Sequence, residues 1–391
     1  MSPAQVRLGD VCTIGRGSSP RPIKDERYFS GGTIPWVKIA DATASGKYIF
    51  ETRMFVNEYG ASFSRCLQPG SLIFPASGTL GIPRFLGVEA CIHDGWLYFS
   101  DFNGVDPEYL YYKLIMLKDY YLSIAYGAAI QNINTDLVRD TKIALPDLAD
   151  QRAIASCLCN YDDLIETNRR CITLLEESAR LLYREWFVNL RFPGYEQAKV
   201  IDGLHVGWQS HSLAEVADFI NGFAFKPAHL QEEGLPVVKI PELRDGVSDR
   251  TPRNQGDDIP ERNKIDSGDL LFSWSATLIV NEWFDGPALL NQHLFKVIPK
   301  MESFKRYLRF ALEAAIPSLL GQSVGATMQH IRKSALDDYN ILVPNEELRI
   351  LYAGIADPIC DQAITLRRQI RLLIEARDEL LPKLMSGAIQ V

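Results

Sequence analysis

The chain has 391 residues, 47% apolar and 23% charged, with a formal net charge of −8. That length exceeds one hydrophobic core and predicts two or more domains, and the lack of any run of about 18 uncharged apolar residues argues against a membrane-spanning helix. Residues 1–146 carry 14 basic and 14 acidic groups, and residues 201–344 carry 14 and 19, so neither half has the basic excess that drives strong non-specific binding to DNA.

The start, MSPAQVRLGD, has no cationic region followed by an apolar one, so no secretory signal is expected. Seven scattered cysteines, without zinc-ligand spacing, predict reduced thiols in a cytoplasmic protein. The first 146 residues are rich in Gly, Pro and short apolar runs such as WVKIA and SLIFPAS, which predict short strands bounded by turns. A helix is predicted from Asp106-Pro107, where Asp caps and Pro suits the first helical position. Next comes GAAIQNINTDLVRDTKIALP (Gly127 to Pro146), a polar turn, a short helix and an apolar-x-apolar-Pro ending.

From Asp150 onward Ile154, Leu158, Tyr161, Ile165, Asn168, Ile172, Leu175, Ala179, Leu182 and Trp186 follow in alternating steps of four and three. That is a coiled-coil seam on a helix of about 35 residues, roughly 50 Å long. Asn168 is its polar intruder, a residue that costs stability and helps set register.

The pattern then returns. GATMQHIRKSALDDYNILVP (Gly325 to Pro344) repeats the stretch from Gly127, and RLGDV (Arg7 to Val11) matches SLAEV (Ser212 to Val216). IPWVKIAD (Ile34 to Asp41) matches LPVVKIPE (Leu235 to Glu242), and QPGSLIF (Gln68 to Phe74) matches DSGDLLF (Asp266 to Phe272). RRCITLL (Arg169 to Leu175) matches RRQIRLL (Arg367 to Leu373), at offsets drifting only from 205 to 198. The chain is a tandem duplication of a unit too long for a solenoid repeat. A second seam runs through Ile359, Ala363, Leu366, Ile370, Leu373, Arg377, Leu380 and Leu384. Pro358 and Pro382 predict a kink in this second helix, or a late start near Pro358.

These elements predict an α+β fold: two tandem mixed α/β globules separated by two long helices packed as an antiparallel coiled coil, related by a pseudo-two-fold internal repeat. The divisions fall at 1–146, 147–195, 196–344 and 345–391.

A globule closing on an apolar-x-apolar-Pro strand, a polar turn and a long helix, all twice over, resembles the specificity subunit of type I restriction–modification enzymes. IALPDLADQRAIA (Ile143 to Ala155) and ILVPNEELRILYA (Ile341 to Ala353) carry the resemblance, with the two heptad helices and the IPWVKIAD and LPVVKIPE pair. It covers essentially the whole chain. The second copy departs from the first at Leu348, where the first has Gln151, and at Arg377, where the first has Ala179. The resemblance implies that 1–146 and 196–344 are target-recognition domains and that 147–195 and 345–391 are conserved helical spacers. It further implies two methyltransferase (modification) subunits and two restriction subunits as partners. S-adenosylmethionine, and ATP with Mg, would sit on those partners rather than on this chain.

The physical logic stands beside the name. B-DNA offers its major groove on one face every 34–36 Å or so, and two globules held apart by a rigid rod suit a bipartite site in double-stranded DNA with an unread spacer. Two globules of different sequence predict an asymmetric site. Amides suit adenine and cations suit guanine. Candidate contacts in the first copy are Arg16, Ser18, Ser19, Arg21 and Lys24 in GRGSSPRPIK, then Ser77, Thr79 and Arg84, then Gln131, Asn132 and Asn134. In the second copy they are Asn221, Lys226, Ser273, Ser275, Thr277, Gln329, His330, Arg332 and Lys333. A plain structural role, such as capping the next helix, is the competing reading for each.

No Asn-Pro-Pro-aromatic loop, Asp-Pro-Pro-Tyr, Walker sequence, nucleophile elbow or histidine cluster occurs in the sequence. The chain therefore reads as non-catalytic, with no metal, no cofactor of its own and no membrane segment. The rival reading is a coiled-coil scaffold that binds proteins rather than DNA.

Overall fold

A computed structural model of the chain describes residues 4–126, 132–201, 204–321, 331 and 334–391. It forms two compact units, Met1–Thr167 with Arg371–Val391, and Asn168–Ile370.

The strands of the first unit are β1 (Ala4–Arg7), β2 (Thr13–Arg16), β3 (Ile34–Val37), β4 (Tyr48–Ile49), β5 (Phe55–Val56) and β6 (Arg65–Leu67). They continue with β7 (Leu72–Pro75), β8 (Arg84–Leu86), β9 (Ala90–Ile92), β10 (Trp96–Ser100) and β11 (Lys142–Leu145). One sheet has the order β2-β10-β7-β8-β4, a second β5-β3-β9-β6, and β1 pairs with β11. Central β7, LIFP, is buried at all four positions, which is why it reads as an unbroken apolar run. The helix Pro107–Met116 is capped as its sequence predicts: Asp106 accepts from the N–H groups of Glu108 and Tyr109 at 3.0 and 3.1 Å.

The second unit opens with the hairpin β12 (Val200–Ile201) and β13 (Leu204–His205). It then repeats the first through β14 (Gln209–Ser212), β15 (Ala217–Asn221), β16 (Leu235–Val238), β17 (Arg253–Asn254) and β18 (Lys264–Ile265). β19 (Leu270–Ser273), β20 (Val280–Glu282), β21 (Ala288–Leu290), β22 (Leu294–Pro299) and β23 (Asn340–Val343) complete it. Its sheets run β15-β22-β19-β20 and β17-β16-β21-β18, with β14 on β23. Strand for strand this is the order of the first unit, with no counterpart of β4 among the described residues. Even the single parallel pairing in the second sheet recurs, β3 on β9 and β16 on β21.

Local signals repeat for the same physical reason. In VKIAD the backbone N–H of Lys38 donates to Asp41 at 2.8 Å, and in VKIPE that of Lys239 donates to Glu242 at 3.0 Å. Each buried acid thus closes the first turn of a short helix.

The first long helix spans Leu148–Tyr183 and the second Glu346–Met385. In the first unit Leu158 packs in a core that includes Leu381, Leu384 and Met385, with Leu380 at its edge. In the second unit Ile172 packs with Ala363 and Leu366, flanked by Leu175 and Ile370, while Trp186 lies 5.8 Å from Tyr352. Numbers rise along one helix as they fall along the other, so within that unit the helices are antiparallel. Ile165 is buried, Tyr161 and Leu373 are half-buried, and Leu182 and Ile359 pack against the second core. Asn168 is buried, with its amide 3.5 Å from Gln369 Oε1.

Three features depart from expectation. The second helix runs unbroken through Pro358 and Pro382. Pro358 and Gly354, whose carbonyl it leaves unpaired, both lie on the exposed face, so that group has solvent available. Cys66 and Cys91, facing partners on β6 and β9, are joined by a disulfide where reduced thiols were expected. Cys12, Cys157, Cys159, Cys171 and Cys360 are free. Arg377 leaves the apolar seam pattern because it pairs with Asp162, a carboxylate that also accepts the Tyr112 hydroxyl at 2.6 Å. The other departure between copies has a similar cause. Buried Gln151 accepts from the N–H of Asp106 at 2.8 Å and donates to the carbonyls of Gly104 and Pro146 at 3.0 and 2.9 Å, whereas Leu348 packs into apolar core.

Candidate nucleic-acid interface

In each unit one end of the sheets gathers segments distant in sequence. In the first, Gly17 donates its N–H to Trp96 O (2.9 Å) and Ser18 to Ile92 O (3.2 Å), clamping the loop after β2 onto the β9–β10 turn. Ala76 donates to Gly95 O (2.8 Å) and Ile133 to Ala76 O (2.9 Å), adding the β7–β8 loop and the segment before the Thr135–Arg139 helix. The second unit has the same wiring. Gly222 donates to Leu294 O (3.1 Å), Phe223 to Leu290 O (2.8 Å), Trp274 to His293 O (3.3 Å) and Ile331 to Trp274 O (2.9 Å).

Glycine is required at the clamp. A Cβ on Gly17 would lie 2.2 Å from the carbonyl oxygen of His93, and one on Gly222 would lie 2.1 Å from that of Asn291.

The predicted contact residues fall on these loops. Arg16, Ser18, Arg21 and Lys24 are exposed and Ser19 half-buried in the segment from the end of β2. Arg16 Nε donates to Asp94 O at 2.7 Å, Ser19 Oγ to Asp94 Oδ1 at 2.8 Å, and the Arg21 guanidinium pairs with Asp94 Oδ2. Ser77 bridges to Asn132, and Thr79 lies exposed in the same loop. Asn134 caps the following helix, accepting from Leu137 N at 2.7 Å. Arg84 points elsewhere, donating to the carbonyls of Ala42, Pro83 and Ser45. In the second unit Asn221 and Lys226 are exposed on the equivalent loop. Ser275 meets His293 Nδ1 at 2.9 Å, while buried Ser273 is consumed by the carbonyl of Thr277 at 2.6 Å. Gln131, Gln329, His330, Arg332 and Lys333 lie outside the described residues.

Sequence reasoning passed over the turn that organises each end. It is His93-Asp94-Gly95 in the first unit and Asn291-Gln292-His293 in the second. The available signal was the alignment of ACIHDGW with ALLNQHL, two turns in equivalent strands that each hold a histidine and differ in charge. Burial lowers the His93 pKa against the opposing pull of Asp94, and Lys38 adds to the lowering. His93 Nδ1 accepts the Gly95 N–H at 2.8 Å, leaving its other nitrogen as the donor. For Asp94 burial works upward, but the Ser19 hydrogen bond and the Arg21 charge outweigh it and hold the carboxyl below its ordinary range. Trp36 and Lys38 sit beside this turn, the ring of Trp36 edge-on to His93 at 5.8 Å.

Two tandem copies of one architecture, each presenting polar loops of different chemistry on identical wiring, define a double recognition module. The type I restriction modification DNA specificity domain matches residues 4–177 and again 205–375. The chain belongs to that family. Similar proteins include the MjaIX specificity subunit of Methanocaldococcus jannaschii, 23% identical over 98% of this chain and 93% of its own length. The MjaVIII specificity subunit of the same organism is 24% identical over 99% and 92%. The crystal structure of a type I S subunit from M. genitalium matches with a TM-score of 0.60 at 14% identity, covering 98% of this chain and 99% of that one, and so shares the fold. As a specificity subunit the chain is a non-catalytic DNA-recognition component.

Among the described residues no helix is long and apolar enough to cross a membrane.

Proposed function

We propose that the chain reads an asymmetric, bipartite site in double-stranded DNA, one half-site through residues 1–146 and the other through residues 196–344. The helical segments 147–195 and 345–391 then act as spacers and as docking surfaces for two methyltransferase subunits, with two restriction subunits completing a cytoplasmic complex. S-adenosylmethionine, and ATP with Mg, belong to those partners. The observation that carries the reading is the pairing of identical backbone wiring with unlike side chains. Gly17 and Gly222 clamp equivalent loops, yet the positions held by Arg16, Ser19, Arg21 and Asp94 in one copy are held by Asn221, Ala224, Lys226 and Gln292 in the other. Amides and cations prefer different base edges, so like scaffolds with unlike tips suit unlike half-sites. The neutral and acidic charge of the two globules fits a protein whose partners supply the phosphate contacts.

Arg16, Ser18, Ser19, Arg21, Lys24, Ser77, Thr79 and Asn132 form the contact surface of the first globule in this reading, and Asn221, Lys226 and Thr277 that of the second. Arg84, Asn134, Ser273 and buried Ser275 serve the scaffold through the bonds described above. The test is to produce the modification subunit with and without this chain and map adenine methylation across the host DNA. A split, asymmetric motif that needs this chain supports the reading; methylation indifferent to it contradicts the reading.

A further inference from the structure

On the contact surface proposed above a carboxylate needs an explanation, because it would repel the phosphates of an approaching duplex. Asp94 sits there, and the loop after β2 is folded onto it. Arg16 fixes its carbonyl, Ser19 one carboxylate oxygen, and Arg21 the other. Arg21 is held at its backbone as well, since the hydroxyl of buried Tyr28 donates to Arg21 O at 2.9 Å. Its guanidinium nevertheless remains 68% exposed. A flexible arginine is thereby pinned at both ends while most of its side chain stays open to solvent.

We infer that Asp94 is a positioning residue that presents the Arg21 guanidinium to the O6 and N7 acceptors of a guanine, making that base part of the half-site read by the first unit. The inference rests on the DNA-reading function proposed above. The planar fork of arginine matches two adjacent acceptors and, pre-ordered by a carboxylate, loses less freedom on binding than a free side chain. An adenine offers an N6 donor where guanine has O6, so the same fork rejects it. The second unit lacks the device: counted from the clamp glycines, Ala224 stands for Ser19 and Lys226 for Arg21, and in the aligned turns ACIHDGW and ALLNQHL Gln292 stands for Asp94. Its half-site is read by other means.

The experiment uses the full chain with its modification subunit and duplexes in which each base pair of the mapped site is varied singly. The wild type is expected to require a G·C pair at one position of the first half-site. Asp94→Ala should relax the preference for guanine over adenine there by roughly ten-fold or more, leaving every other position of both half-sites unchanged. Asp94→Asn, which keeps an acceptor of the same shape, should relax it less. Arg21→Ala alters an exposed side chain and should relax the same position, which keeps the test sound if Asp94→Ala folds poorly. A first half-site without a required G·C pair overturns the inference, as does a loss in Asp94→Ala spread over the whole half-site, or relaxation at different positions in the two variants. A wild-type complex with no sequence preference at all sinks instead the DNA-reading function beneath it.

Discussion

Arg377 reaches from the second long helix to Asp162 on the first, pairing with a carboxylate that is only 5% exposed. Burial disfavours the guanidinium charge, and Asp162 more than compensates, holding the Arg377 pKa above its ordinary value. Removing one member of such a pair leaves an uncompensated buried charge, at a cost of about 3–5 kcal/mol. Arg377→Ala is therefore expected to lower the denaturant midpoint of the first unit sharply. Replacing both residues by apolar ones of similar size should recover only part of that loss, because the desolvation cost disappears with the pair but the buried Tyr112 hydroxyl loses its acceptor. Equal destabilisation in the single and double variants would contradict this account.

Gln151 makes a prediction of the opposite kind. Its side chain satisfies three backbone groups around the start of the Pro107–Met116 helix and the first long helix. Gln151→Leu, the residue found at the matching place in the second copy, should cost about 2 kcal/mol by leaving buried polar groups unpaired. Unfolding by urea measures it.

The clamp glycines should behave independently. Gly17→Ala places a carbon against the His93 carbonyl and must push the β9–β10 turn aside, so recognition of the first half-site should fall while the second persists. Gly222→Ala should do the reverse. Methylation on substrates with one altered half-site at a time separates the two.

Acid should weaken the second unit through Glu176. Burial alone would raise its pKa, but Arg367 at 2.7 Å and Arg309 at 3.3 Å reverse the sign, so the folded carboxyl titrates below its usual value near 4.5. The unfolded state then binds the proton first. The stabilisation is fully present above that ordinary value and is lost as pH falls through the lowered one. Glu176→Gln should be less stable at neutral pH and show a flatter loss of stability below about pH 4.5. An unchanged acid limb would contradict the assignment.

Much of the fold was legible in the sequence because its signals are local or periodic. The duplicated IPWVKIAD and LPVVKIPE stretches encode a strand and a self-capped helix, and the four-three alternation encodes the buried stripe from Leu158 to Leu182. The paired stretches from Gly127 and Gly325 matter because Ile133 and Ile331 each donate to an equivalent loop carbonyl. What stayed hidden depends on convergence. Asp94 is 73 residues from Arg21 and 75 from Ser19, and no short motif joins them. Pro358 looked disruptive because propensity does not say which side of a helix faces solvent, and the disulfide between Cys66 and Cys91 depends on strand register.

The central claim is that two like scaffolds read two unlike half-sites. The most direct measurement exchanges residues 1–146 for the corresponding segment of a specificity subunit with a different known site and maps adenine methylation in cells that also make the modification subunit. The account predicts that the bases on one side of the split motif change while the other side and the spacer stay as they were. Changes on both sides, or in the spacer alone, would contradict it.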